Sequence, residues 1–420
     1  MNHALGGLEL SKLSDLGRIP TGLSAVLRSA RSAKHEALLA SLTPTEWTEV
    51  VELAIRQGVG PQLPPEISEK LPAPARGQLA ERVAFAVERV RRFREEFLNL
   101  AAAVEPEGIE IVGLKGIHLA LAVYPPSVLR EMADIDVLVR RQNIEAVKEA
   151  AHRLGFQSRP DSMERRGHHL DPLSKPGASL EIHWQLAEPG EPPTAPPDAL
   201  WQHVRPLGEA GNIFGLAPED ALIHVCAHAA YSHHLEQGMR PICDIRALIA
   251  GPSADRLDWD RLVSRAREWD SSRCVILGLI LARDLLGAEV PADVIARLGG
   301  PPPTPVVSAA VGQVFGQKTG THRISGAAGQ LFAGSSPLAR LRSAFQRVKL
   351  PPEQIAAMYP GWSRGTWLLQ AWVMARRGRV LVKRYGWILM RTALRPRSPE
   401  ARHVARRNTL GSWVRGGDPA

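Results

Sequence analysis

The segment Ala133-Asp134-Ile135-Asp136-Val137-Leu138-Val139 constrains the fold more than any other stretch of this 420-residue chain. Successive side chains of a strand point to opposite faces. Asp134 and Asp136 therefore share one face, while Ile135, Val137 and Val139 turn to the other and need a core to cover them. Two carboxylates on one face repel unless a cation lies between them. A hard divalent ion such as Mg²⁺ meets that need, because it takes oxygen ligands and accepts substrate phosphates as partners.

A second strand of the same kind follows. Leu180-Glu181-Ile182-His183-Trp184 alternates apolar Leu180, Ile182 and Trp184 with polar Glu181 and His183. If it lies beside 135–139, Glu181 completes a three-carboxylate site that two Mg²⁺ ions, or Mn²⁺, can occupy while clamping a nucleoside triphosphate. Upstream, Gly113-Leu114-Lys115-Gly116 closes one strand and opens a helix. Small residues there let the backbone approach a phosphate, the helix start presents free N–H groups to an anion, and Lys115 adds a point charge.

The surrounding pattern divides the chain. Residues 1–104 read as a helical region. Thr43-Pro44-Thr45-Glu46 is a helix start, and Val83, Val87, Val90, Phe93, Phe97 and Leu100 follow the spacing of one helix face. Residues 105–210 read as a core: strand Ile109–Val112, helix Ile117–Tyr124 ended by Pro125, strand Ile135–Val139, and helix Gln142–Leu154 with Gly155 as its cap. A hairpin of Gly167–Ser174 and Ser179–Leu186 follows, turning at Lys175-Pro176-Gly177-Ala178. Residues 211–298 read as helical, with helices over Pro218–Ala250 and Asp258–Leu286. The Pro-rich run Gly299–Pro305 introduces a helical region over 299–395, and 396–420 is expected to be a disordered basic tail.

Together these motifs resemble a known family. Leu114-Lys115-Gly116, Leu119-Ala120, Tyr124-Pro125, Leu129-Arg130 and Asp134–Val139, followed by Leu180–Trp184, look like the uncharacterised nucleotidyltransferase family of the DNA polymerase β-like superfamily, over residues 30–290. The resemblance implies an α/β (α+β) core with a small mixed sheet of four or five strands, flanked by N- and C-terminal helical regions. It implies transfer of a nucleoside monophosphate, from ATP or another triphosphate, to a hydroxyl or phosphate of an acceptor that the sequence does not identify, whether small molecule, peptide or protein. Carried over residue by residue, Asp134, Asp136 and Glu181 ligate the metals, and Glu181 helps deprotonate the acceptor. Lys115 and Gly116 hold the triphosphate, and Arg130 contacts a phosphate. His183, His228 and Asp244 fall on the acceptor side. Two departures stand out: the turn is Lys115-Gly116 where the superfamily's minimal members have Gly-Ser, and the third acid is Glu181 where Asp is common. Phosphoryl transfer from the same scaffold, or a degenerate nucleotide-binding or membrane-associated scaffold, are the alternatives.

Other features are set aside. His224 and His228 have the i,i+4 spacing of a zinc site, but the glutamate of an HExxH motif and a third ligand are missing. Gly312–Thr319 is too short for a phosphate loop. Cys226, Cys243 and Cys274 form no disulfide framework and suggest a reducing, cytoplasmic setting. No apolar run is long enough to span a membrane, and no signal peptide is expected. The net charge of +9 suggests a polyanion-binding protein. However, residues 361–420 hold thirteen Lys/Arg against two acids, which leaves the rest of the chain near neutral. An apolar, Trp-rich stripe in this region admits contact with an anionic surface, although packing on the protein with solvated charges is the preferred reading.

Overall fold

The computed structural model describes residues 16–28, 31–158, 167–208, 211–251, 257–316, 371–372, 375–376, 379 and 398–417. The chain divides into two compact units, Met1–Pro302 and Pro303–Ala420, with the break inside the Pro-rich run 299–305.

The first unit opens with helices α1 (Arg18–Leu27), α2 (Ala33–Ala40) and α3 (Pro44–Arg56). The α3 start is a reciprocal cap: Glu46 N donates to Thr43 Oγ1 at 3.3 Å, and Thr43 N donates to Glu46 Oε2 at 2.9 Å. The long α4 (Ala73–Val104) buries Val90, Phe93, Phe97 and Leu100 against the sheet, as its periodicity predicts. Val87, expected on that face, is exposed, so the stripe meets the core only in its C-terminal half.

The sheet has six strands where four or five were expected. They are β1 (Ile111–Leu114), β2 (Ile135–Leu138), β3 (Leu173–Lys175), β4 (Ala178–His183), β5 (Arg205–Pro206) and β6 (Ile213–Gly215), in the order β3-β4-β2-β1-β6-β5. β2 runs parallel to β4 and antiparallel to β1, and β1 runs parallel to β6. The sheet is therefore mixed. Ile135, Val137, Val139, Leu180 and Ile182 point into the core with Phe93 and Phe97. β1 begins two residues later than its sequence suggests, because Gly108 turns in the left-handed region and Ile109 N closes back on Val104 O. Gly113 does not break the strand; it pairs with Val137. The chain passes directly from β1 into α5 (Lys115–Ala122), and Lys115, the first helical residue, has φ +44°. α6 (Ile144–Arg153) follows β2, and Gly177 at φ +82° turns the β3–β4 hairpin. The short α7 (Pro197–Trp201) precedes β5.

Beyond β6 the chain is helical. The stretch 218–250, expected to be one helix, is α8 (Pro218–Ala227), a π turn (His228–Ser232) and α9 (Met239–Ala250). Positive φ at His234, Leu235 and Gly238 breaks it. Likewise 258–286 separates into α10 (Trp259–Glu268) and α11 (Ser272–Leu286), with Asp270 at φ +49° between them. α12 (Ala292–Arg297) ends the unit.

In the second unit, α13 (Thr304–Val314) packs on α14 (Pro399–Val414). The disorder expected for 396–420 is thus corrected. Ser398 caps α14 by accepting from Ala401 N at 3.1 Å, and Pro399 occupies the first turn. Val404, Leu410, Trp413 and Val414 are buried. The Trp-rich stripe over 367–389 lies almost entirely outside the described residues. Among the described residues no helix is long and apolar enough to cross a membrane.

Candidate active site

Register builds the site. In the parallel β2–β4 pair Asp136 stands opposite Glu181, and Leu138 opposite His183. Neighbouring strands in register send paired side chains to one face, so the two carboxylates meet. His183, two residues beyond Glu181, emerges on that same face. Its Nε2 lies 3.0 Å from Asp136 Oδ1 and 3.5 Å from Glu181 Oε2. From the β1–α5 junction, Lys115 Nζ donates to Asp136 Oδ1 at 2.7 Å. Asp136 and Glu181, expected to share a site if their strands paired, therefore do so, and Lys115 and His183 join them in one cluster.

Electrostatics follow from this geometry. Burial opposes ionisation of Asp136, but Lys115 and His183 outweigh it and hold the carboxyl well below its usual range. The hydrogen bond from His183 likewise lowers Glu181. Lys115 is part-buried, yet Asp136 keeps it charged. Asp134 precedes β2 and is only partly covered. Burial, then Asp136 and Glu181, push it up to about 6. Its oxygens lie outside the tight group formed by Asp136, Glu181 and His183, whose ligand atoms all fall within 4.8 Å of one another.

Gly116 has a packing role. A Cβ there would stand 2.8 Å from Met132 Cβ, so only glycine lets the first turn of α5 lie against the loop that carries Asp134. Around the cluster stand further imidazoles. The rings of His169 and His168 lie 4.9 and 5.5 Å from that of His183. His224 and His228, on α8 and the π turn, are driven neutral by burial and by the Lys115 charge. Sequence reading dismissed His224 along with the zinc motif. In the fold its buried Nε2 has no hydrogen-bond partner among the described residues, and neither does Nδ1 of His183.

Arg130 and Asp244 are not at the cluster. Arg130 is buried, its Nε and Nη2 donating to Asp244 Oδ1 and Oδ2 at 2.6 and 2.8 Å, and Tyr124 OH donates to Asp244 Oδ1 at 3.0 Å. Next along the loop, Glu131 is ion-paired with Arg82 of α4. The two residues that sequence assigned to a phosphate contact and to the acceptor side thus pair with each other and hold the loop that enters β2.

The cluster fits a divalent cation. It has two ionised carboxylates in register, an imidazole nitrogen between them, and an unpartnered buried nitrogen on the same ring. The carboxylate oxygens suit a hard divalent ion, and the imidazole adds a nitrogen donor of the kind transition metals take.

Compared with known proteins, the chain matches the model of a family described as uncharacterised nucleotidyltransferase over residues 43–287. That span is more than half of the chain and contains every residue of the cluster. No curated protein and no solved structure matches the chain.

Proposed function

The chain belongs to the uncharacterised nucleotidyltransferase family, transferases of phosphorus-containing groups, and on that premise we propose that it moves a nucleoside monophosphate from a triphosphate to a hydroxyl or phosphate of its acceptor in a divalent-metal-dependent reaction. The observation that carries this reading is the in-register pair Asp136–Glu181, bridged by His183. Asp136 and Glu181, with Asp134 beside them, would hold the cation. When bound, it supplies charge neutralisation for the phosphates and Lewis acidity toward the attacking oxygen.

The chain's own residues have distinct parts in this reading. Lys115 keeps Asp136 ionised. His183 orients both carboxylates by hydrogen bonding. Glu181, the more accessible of the pair, takes the proton from the acceptor hydroxyl. The acceptor oxygen forms a bond to the α-phosphorus, the bond from that phosphorus to the bridging oxygen breaks, and pyrophosphate leaves. Gly116 keeps the start of α5 close to the Asp134 loop.

The test is incubation of the full chain with each nucleoside triphosphate, Mg²⁺ or Mn²⁺, and candidate acceptors. Release of pyrophosphate with transfer of α-label, lost in Asp136→Asn, supports the reading. Transfer of γ-label supports phosphoryl transfer instead. A second reading, nucleotide binding without turnover, draws support from Lys115, whose ammonium bonds the Asp136 oxygen that a metal would use. Triphosphate binding without pyrophosphate release under every metal would favour it.

A further inference from the structure

Three cations surround the loop that carries Asp134, and two of them are engaged by acids. Lys115 is bonded to Asp136, and Arg130 to Asp244. The third, Arg240, stands in the first turn of α9, four residues before Asp244. It is largely buried and makes no hydrogen bond and no ion pair with any described residue. Its side chain lies against Gly58, where a Cβ would stand 3.6 Å from both Arg240 Cδ and Nη1. Glu131 Oε2 lies 3.9 Å from that same point, but the Glu131 carboxylate is ion-paired through Oε1 with Arg82, and its Oε2 makes no hydrogen bond to any described residue.

A second cation without an acid partner belongs to the same neighbourhood. Arg89 of α4 stacks on Phe85 and Phe93, 5.8 and 5.4 Å from their ring centres, and forms no ion pair among the described residues. It lines a cleft of about 470 Å³ with Arg92, the β3–β4 turn and Ala133, the residue directly before Asp134. Burial, then the charges of Arg130 and Arg89, oppose the charge on Arg240, while Asp244 and Asp134 favour it; the guanidinium is lowered to about 10.

Covering most of a guanidinium without giving it acceptors costs part of its hydration, and like charges nearby add to that cost. A bound polyanion removes both penalties, and the planar fork of Arg matches phosphate oxygens. We propose that Arg240, assisted by Arg89, binds the polyphosphate tail of the nucleotide, the two phosphates that leave as pyrophosphate. This rests on the nucleotidyl-transfer reading, and it moves to Arg240 the phosphate contact that sequence reasoning gave to Arg130.

The test is calorimetric titration of the full chain, with Mg²⁺ present, using inorganic pyrophosphate, a nucleoside triphosphate and the corresponding monophosphate. Arg240→Gln is expected to weaken pyrophosphate and triphosphate binding by about tenfold or more, as loss of a charge-assisted contact does, and to leave the monophosphate unaffected. Arg89→Gln should show a smaller loss of the same kind, and Arg240→Lys should recover part of the affinity. Unchanged pyrophosphate affinity in Arg240→Gln and Arg89→Gln, with wild-type melting temperatures, overturns the proposal. Weakened pyrophosphate binding with wild-type triphosphate affinity also overturns it, because the anion would then belong to a phosphorylated acceptor. Arg240-dependent pyrophosphate binding in a chain that turns over no triphosphate would leave the anion site standing and remove the transfer reading instead.

Discussion

Asp136 and Glu181 stand opposite one another in the parallel β2–β4 pair, and His183 reaches both, 3.0 Å from the first and 3.5 Å from the second. Lys115 and His183 hold Asp136 well below the usual carboxylate range against burial, and the hydrogen bond from His183 lowers Glu181. Activity and stability are therefore coupled at this point. Removing one charge disturbs the chemistry and leaves its partner unpaired.

Asp136→Asn separates the two effects when combined with a second change. The single variant should lose transfer by about 100-fold or more, the scale of disrupting a metal centre, and should also melt lower, because Lys115 loses the carboxylate it is bonded to. Adding Lys115→Met should recover the melting temperature and not the activity. A double variant no more stable than Asp136→Asn would show that the Lys115 charge is not what destabilises it.

Gly116→Ala tests the close approach of α5 to the Asp134 loop. Alanine ordinarily favours a helix by up to about 1 kcal/mol over glycine. Here its methyl would stand 2.8 Å from Met132 Cβ, close to the backbone and unable to swing aside. Overpacking should prevail, giving a net loss of about 1–2 kcal/mol in urea unfolding and a higher KM for triphosphate. A variant as stable as wild type would mean that the loop yields freely.

The Arg130–Asp244 pair is a structural clamp, and its variants should behave as such. Both side chains are buried and share two hydrogen bonds. Arg130→Met or Asp244→Leu alone should cost about 3–5 kcal/mol by stranding a buried charge, and the double variant should cost less than either. Purely additive losses in a double-mutant cycle would contradict the clamp.

Sequence and fold agree where local chemistry decides. Alternation marks β2 and β4, and their register brings Glu181 to Asp136. The Thr43–Glu46 cap and the Gly177 turn are readable because one or two residues set the geometry. What escaped was set by tertiary contacts. β6 is three residues long and exists because β1 offers a parallel partner. Arg130 and Asp244 lie 114 residues apart, and no local pattern links them. Lys115 read as a free phosphate-binding charge until its helix start aimed it at Asp136. In α14 the many basic residues obscured Val404, Leu410, Trp413 and Val414, spaced to bury one helical face.

His118 makes the stability of the first unit acid-sensitive. The ring is buried in α5, and its Nδ1 accepts from Leu216 N at 3.4 Å. A Cβ on Gly215 would stand 3.1 Å from its Nε2, so the ring packs directly on the backbone of β6. Burial alone lowers it to about 4, from 6.5 in an exposed chain. Between those values the unfolded chain binds a proton that the folded one refuses. Stability is therefore fully present above pH 6.5 and is lost as pH falls toward 4, by about 3 kcal/mol from this residue. His224, also driven neutral by burial, acts in the same direction. Urea unfolding at pH 7.5 and pH 5 should show the loss in the wild type. His118→Asn keeps an acceptor for Leu216 N and cannot take up the proton, so its stability should fall less between the two pH values. Equal falls in both proteins would exclude His118 as the source.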